Sequence, residues 1–313
     1  MSVTVRYVDA PRESPEPSSL INKMVEAAAH QPVEVIADAK ATVDIEFVSV
    51  HATEFSRLSR TLRGVAPGRG YRGRLRQRER WNAVYREPTG RSRRSVWFTG
   101  DNVRPPGGPW DGYLSFDLDP LDGRNAYFPH WFEYVGLLGS HRKSYSGLDL
   151  TVDGLTTPRP QRPRPPGFAC TFIGNPTPMR LHAIDALSKV GTVEVLGNSV
   201  GRGVPSKVEI AKDFRYVMCF ENDLYPGYVT EKPFEAWATG AVPLWWGSDP
   251  AGYVNPDSVV NAADYAALAD FAADVADLDR EPGAWEEKMA RPVLLRDPNL
   301  QPAVDLLRRL LRD

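Results

Sequence analysis

The chain has 313 residues, 42% of them hydrophobic, which is enough to build the cores of two ordinary domains. Its formal net charge of −2 hides an asymmetry, with arginines crowded into residues 57–94 and an Asp- and Ala-rich stretch after Asp249. Two cysteines, Cys170 and Cys219, both in apolar runs, exclude a disulfide framework and a cysteine-based zinc site, and no run approaches the roughly eighteen apolar residues that span a bilayer.

In chain order, residues 3–8, 33–37 and 43–50 have the β-branched, apolar composition of strands, with helical patterns over 19–29 and 55–62. The arginine-rich segment 57–94 follows. It reads as a solvated loop or as a basic surface that meets an anionic acceptor, such as a lipid-diphosphate-linked glycan or a membrane face. Nucleic acid is not the expected partner, because nothing outside this segment carries a nucleic-acid-binding signature. Residues 96–99 and 113–116 are two further strands, and 130–138 is a helical stretch. The proline-rich run 157–166 (TPRPQRPRPP) interrupts every periodicity and is expected to link an N-terminal domain, 1–156, to a C-terminal one, 167–313. Beyond it the alternation resumes with strand 169–173, helix 178–189, strands 192–196 and 216–220, helix 230–238 and strand 242–245. An amphipathic helix over 303–312 closes the chain and is expected to pack on the body of the protein.

Strands alternating with helices imply an α/β protein with parallel sheets. Ligands of such sheets sit beyond the carboxyl ends of the strands, so the loops after Ile173, Leu196, Phe220 and Trp245 are the place to search. In the turn after Phe220, Asn222, Tyr228 and Thr230 precede a helix whose first turn holds Glu231 and Lys232. A phosphate there would meet backbone N–H groups, the helix dipole and a lysine ammonium together. The loop after Ile173 leads through Pro178, suited to a first helical position, to Arg180, which can turn back toward it. Asp117 and Asp119 have the spacing of a divalent-metal pair, but the cations Arg180 and Lys232 lie far away in sequence, and no metal is expected. Asp101 and Asn102 follow a strand in a composition suited to a turn, and Glu133 lies in the helical stretch beyond.

Three linked blocks, Phe220-Glu221-Asn222, Tyr228-Val229-Thr230-Glu231-Lys232 and Ala241-Val242-Pro243, resemble the α-1,3/4-fucosyltransferases of glycosyltransferase family ten in order and nearly in spacing. Asn175-Pro176-Thr177-Pro178-Met179-Arg180 and Phe98-Thr99-Gly100-Asp101-Asn102 are similar to two further blocks of that family. The resemblance implies a GT-B fold of two facing Rossmann-like domains. It also implies inverting transfer of fucose from GDP-fucose to a hydroxyl of an oligosaccharide or glycoconjugate, in α-1,3 or α-1,4 linkage to N-acetylglucosamine or glucose, without cofactor or metal. Arg180 and Lys232 would hold the diphosphate and Glu231 the ribose, with Asn198, Asn222, Tyr228 and Thr230 completing the donor site. Transfer to a hydroxyl needs a base, and Asp101 would stand in for the family's glutamate, with an arm one methylene shorter and Glu133 in reserve. The expected setting is a reducing cytoplasm, with peripheral membrane contact allowed. The alternatives are a GT-B transferase using another GDP-sugar or a non-glycan acceptor, and a non-catalytic glycan- or nucleic-acid-binding protein.

Overall fold

The computed structural model describes residues 2–8, 10, 14–49, 88–99, 102–105, 108–141 and 147–312. The helix expected over 55–62, residues 57–87 of the arginine-rich segment and Asp101 lie outside the described residues. In chain order the elements are β1 (Val3–Val8), α1 (Leu20–Ala29), β2 (Val33–Val35), β3 (Val43–Val48), β4 (Ser92–Phe98), β5 (Gly112–Ser115), β6 (Asn125–Tyr127) and α2 (Val152–Thr156). There follow β7 (Gly167–Phe172), α3 (Pro178–Ser188), β8 (Val193–Leu196), α4 (Lys207–Ala211), β9 (Phe214–Met218), α5 (Lys232–Ala238), β10 (Val242–Trp245), β11 (Val260–Asn261), α6 (Leu268–Arg280), α7 (Ala284–Ala290) and α8 (Gln301–Arg312).

Two all-parallel sheets result, one in each of two units. The first unit comprises Met1–His130, Leu137–His141 and Asn299–Asp313, with strand order β2-β1-β3-β4-β5-β6. Val5, Ile45, Phe47, Val96, Phe98 and Leu114 are fully buried, as strands covered on both faces require. One ion pair breaks the apolar rule. Arg6 on β1 and Glu46 on β3 are register partners, 4% and 0% exposed, and Arg6 Nε donates to Glu46 Oε2 at 2.9 Å. Thr89 donates to the same carboxylate through its backbone N–H at 2.8 Å and its hydroxyl at 2.7 Å, so a satisfied buried charge ties the chain to the sheet just before β4.

The second unit comprises Trp131–Gly136 and Arg142–Pro298, with order β11-β10-β9-β7-β8. The chain steps from β7 to β8 on one side and returns to β9 on the other, which makes the β7/β9 border a topological switch point. Phe168, Tyr216, Phe220, Leu244, Phe271 and Trp285 form its core. Among the described residues no helix is long and apolar enough to cross a membrane.

Three expectations change. The C-terminal helix, assigned by sequence to the second domain, packs on α1, β5 and β6 of the first unit. Its close approach depends on Gly112, where a Cβ would come within 3.0 Å of Leu310 and 3.4 Å of Leu306. The stretch 130–138 is a 3₁₀ helix, His130–Tyr134, rather than one long helix. Aromatic stacking holds it in the second unit: the Trp131 ring lies 4.7 Å from Phe234 and 5.4 Å from Tyr253. Finally, residues 157–166 lie inside the second unit instead of at its border. Their arginines reach carbonyls and a carboxylate of that unit. Arg159 donates from Nη2 to Met289 O at 2.6 Å, at the end of α7, and from Nη1 to Trp237 O in α5, with its guanidinium 3.9 Å above the Trp237 ring. Arg162 reaches Phe214 O at 3.3 Å, and Arg164 pairs with Asp279 at 2.8 Å.

Replacing Arg159 with alanine should lower the denaturant midpoint by the equivalent of about 2–3 kcal/mol, the expected cost of losing charge-assisted bonds to partly buried carbonyls together with a cation–π contact. Lysine at this position should recover little of it, because a point charge cannot serve two helix ends and a ring at once.

Candidate active site

β7 and β9 run side by side into the switch point, joined near their ends by the Thr171 hydroxyl donating to Met218 O at 3.0 Å. Past β7 the chain turns at Asn175 and enters α3, whose cap is the Thr177 hydroxyl, accepting from Arg180 N at 3.4 Å, with proline in the first turn. That geometry sends the Arg180 side chain back beneath its own loop. Nη1 donates to Asn175 O at 2.8 Å, and Nη2 donates to Asn222 Oδ1 at 3.0 Å and to Phe220 O. Arg180 is 7% exposed and bridges the loops after β7 and β9. Burial lowers its pKa, opposed by Glu221, Tyr228 and Cys219. Of the five N–H donors of a guanidinium, three are engaged.

The loop after β9 is organised by Glu221, a carboxylate with 0% exposure. It accepts from Thr230 N at 2.9 Å, from the Thr230 hydroxyl at 2.8 Å, from Lys232 Nζ at 3.0 Å and from Trp245 Nε1 at 3.4 Å. Lys232 Nζ also donates to the Thr230 hydroxyl at 2.9 Å. Burial would push this lysine down, but the charges of Glu221 and Glu231 and the bond to Glu221 outweigh burial and the opposing charge of Arg180, and hold its pKa above the ordinary lysine value. Glu231 is the N-cap residue of α5, and its side chain makes no capping hydrogen bond. The helix itself is only seven residues long, so the positive field here comes from side chains rather than from a long dipole. A pocket of about 120 Å³ opens beside this cluster, bordered by Phe172, Lys207, Cys219, Glu231, Lys232 and Glu235.

Hydrogen bonds thus join Arg180 to Asn222 and Lys232 to Thr230 and Glu221, and the charge of Arg180 lies near enough to lower the pKa of Lys232. Tyr228, 2% exposed, lies behind the loop surface. Asn198 opens a 3₁₀ turn, Asn198–Val200, that is drawn onto the end of β7: the Ser199 hydroxyl donates to Ile173 O, and Gly197, at φ 118°, sits where a Cβ would collide with the same carbonyl. Glu133 is 6% exposed in the 3₁₀ helix of the second unit. In the first unit, Asp117 Oδ1 accepts from Asp119 N at 3.0 Å and Asp119 Oδ1 from Leu121 N at 2.8 Å, so these carboxylates close turns. Among the described residues no group of three or more His, Cys, Asp or Glu is placed to hold a metal ion. Glu221 is the residue at the centre of this network that motif reading left without a role. The available signal was an acid at the end of an otherwise apolar strand, where an ionised group requires partners.

Two all-parallel α/β units, one with a cationic cluster at its switch point, define the GT-B class of glycosyltransferase folds. Residues 168–289 match the family described as "Glycosyltransferase family 10 (fucosyltransferase) C-term". A curated relative, the alpha-(1,3)-fucosyltransferase FucT of Helicobacter pylori, is 28% identical over 200 residues, 54% of this chain and 41% of its own. The matched chain therefore spans less than half the length of that relative. Crystal structures of an alpha1,3-fucosyltransferase with GDP and with GDP-fucose superpose at TM-scores of 0.66 and 0.65, with 18% identity, over 100% of this chain and 91% of theirs. At that identity the likeness concerns the fold.

Both thiols lie in this scaffold, Cys170 on β7 at 0% and Cys219 past β9 at 8% exposure. Burial pushes Cys170 up to about 12 and raises Cys219 well above the usual thiol value, with Glu194 and Glu221 respectively adding to it. The native protein should therefore give no reaction with a disulfide reagent at about pH 8, and both thiols should react only in denaturant. Labelling of either thiol in the folded protein would contradict the strand placement.

Proposed function

We propose that the protein is an inverting fucosyltransferase that transfers fucose from GDP-fucose to a hydroxyl of a glycan acceptor in α-1,3 linkage. The observation that carries this reading is the pair of cations, Arg180 and Lys232, gathered at the switch point and each within the other's field. In this reading the diphosphate accepts hydrogen bonds from the guanidinium donors of Arg180 not given to carbonyls and from the Lys232 ammonium, while Glu231 accepts from the ribose hydroxyls. Asn222 and Asn198 line the donor from the loops, and Thr230 and Tyr228 support it from behind.

The acceptor hydroxyl then attacks the anomeric carbon on the face opposite the nucleotide. As its O–C bond forms, the bond from that carbon to the diphosphate breaks through an oxocarbenium-like state, both electrons leave with the β-phosphate oxygen, and the hydroxyl proton passes to Asp101. The developing charge on GDP is met by Arg180 and Lys232, the work a metal ion performs in other transferases. Glu133, 6% exposed, is the weaker candidate for the base, since a carboxylate so covered is hard for an acceptor to reach. We assign the arginine-rich segment 57–94, the densest positive charge in the chain, to contact with an anionic, lipid-linked acceptor. The two free thiols suit a reducing compartment.

By calorimetry, Arg180→Ala and Lys232→Ala should each weaken GDP binding about 10- to 100-fold, and chelator should leave wild-type uptake unchanged. Uptake that disappears with chelator would overturn the metal-free reading. Asp101→Asn should abolish transfer in a mass-spectrometric assay with GDP-fucose and a panel of N-acetylglucosamine- and glucose-containing acceptors, while GDP affinity stays at the wild-type level. An active Asp101→Asn enzyme would remove Asp101 from the role of base, and a product formed only from another GDP-sugar would replace the donor.

A further inference from the structure

A buried carboxylate beside a site for a diphosphate is at first sight misplaced. Glu221 is wholly shielded from water, and an ionised group in that position is costly unless every lone pair finds a partner. If its only task were to hold the loop, glutamine could accept the same bonds from Thr230 without placing negative charge next to an anion site. What a carboxylate adds is its effect on Lys232. An ammonium has three N–H donors. One points to Glu221 Oε2 at 3.0 Å and one to the Thr230 hydroxyl at 2.9 Å, while that hydroxyl and the Thr230 N–H are themselves held by Glu221. Two fixed donors determine the direction of the third. The flexible four-carbon stem of the lysine is thereby ordered before any ligand arrives, and the lysine, 27% exposed, keeps an open side.

We propose that Glu221 is a positioning residue for nucleotide binding, which aims the third N–H of Lys232 at the diphosphate. The same contact keeps the ammonium protonated in a partly buried place. The proposal rests on the nucleotide reading of this site given above. The charged groups facing Lys232 are Glu221 past β9, Glu231 on its own turn and Arg180 from α3, with Lys207 of α4 and Glu235 of α5 bordering the same pocket. Of the two carboxylates that raise its pKa, Glu221 has the larger effect, so Glu221→Gln should let the lysine lose its proton at lower pH. Because the diphosphate needs the protonated form, the alkaline loss of affinity should move to lower pH with it.

The test is GDP titration calorimetry on full-length wild type, Glu221→Gln and Lys232→Ala across neutral to alkaline pH, alongside an NMR titration of the lysine ammonium groups with Lys232 identified by its absence in Lys232→Ala. Wild-type Lys232 should titrate above ordinary lysines and the Glu221→Gln lysine below the wild-type one. GDP affinity of Glu221→Gln should be about tenfold weaker at alkaline pH and should recover toward wild type as the pH is lowered. An unchanged pH profile in Glu221→Gln, with wild-type binding lost in Lys232→Ala, would overturn this proposal and leave the nucleotide reading intact. No GDP uptake by wild type would overturn the nucleotide reading itself. Should Glu221→Gln fail to fold, the wild-type titration decides alone, since a Lys232 that titrates below ordinary lysines excludes a carboxylate holding it charged.

Discussion

A carboxylate with no access to water must receive every hydrogen bond it needs from the protein, and at Glu221 that requirement shapes the loop around it. Its oxygens take the Thr230 N–H, the Thr230 hydroxyl, the Lys232 ammonium and the Trp245 indole. Those donors come from the turn into α5 and from the last residue of β10. Satisfying one buried charge therefore fixes that turn against the end of a neighbouring strand, by side chains rather than by a ladder of backbone bonds. Glu221 N donates in turn to Trp246 O at 3.1 Å, and Gly227 N to Ser248 O at 3.0 Å, so the loops after β9 and β10 are also laced through their backbones. A loop that contains glycine and proline and exposes Leu224 would otherwise sample many conformations.

The rest of the second unit sets the frame for that loop. At the opposite end of its sheet, Arg159, Arg162 and Arg164 fasten the proline-rich segment to the ends of α5 and α7, to the start of β9 and to α6. The segment is rigid by composition, since proline fixes φ, and its arginines reach carbonyls that would otherwise be half-satisfied. The chemistry-bearing loops thus rise from strands and helices whose far ends are pinned. This division is usual where function sits on loops and precision has to come from the scaffold.

Legibility in the sequence followed the length and polarity of each element. Strands such as Val3–Val8, Val43–Val48 and Val242–Trp245 stood out because their β-branched, aliphatic and aromatic residues are concentrated in short runs. Asn125–Tyr127 and Val260–Asn261 are three and two residues long, too short for any periodicity to register. The helix Leu268–Arg280 was hidden by Asp- and Ala-rich composition that resembles a solvated stretch, and Ala284–Ala290 is only seven residues long. The final helix was visible as an amphipathic stripe, but an apolar stripe does not name its partner. Its partner is the first unit, where Gly112 lets Leu306 and Leu310 approach β5 closely. Proline and arginine in 157–166 were compatible with a free linker, and only the carbonyls they meet in space show otherwise. In the site, Arg180 and Lys232 were found by motif, whereas the role of Glu221 depends on Thr230 and Trp245, nine and 24 residues away, and no local pattern reveals such a pairing.

The carboxylates of the cluster explain how its two cations are held side by side. Arg180 and Lys232 bring two positive charges, and Glu221 and Glu231 bring two negative ones to the same region. A bare pair of cations, largely removed from water, would repel each other and lose protonation or order. With the carboxylates in place they remain charged and directed, and the cluster is close to neutral before ligand binds. The two acids are not equivalent, however: Glu221 is sealed beneath the loop, while Glu231 borders the pocket. The sealed one holds the Lys232 ammonium through a hydrogen bond, and the bordering one acts on it through its charge alone. Cations held this way gain preorganisation, and in the proposed transfer preorganisation would lower the cost of placing a leaving group in line with its attacker.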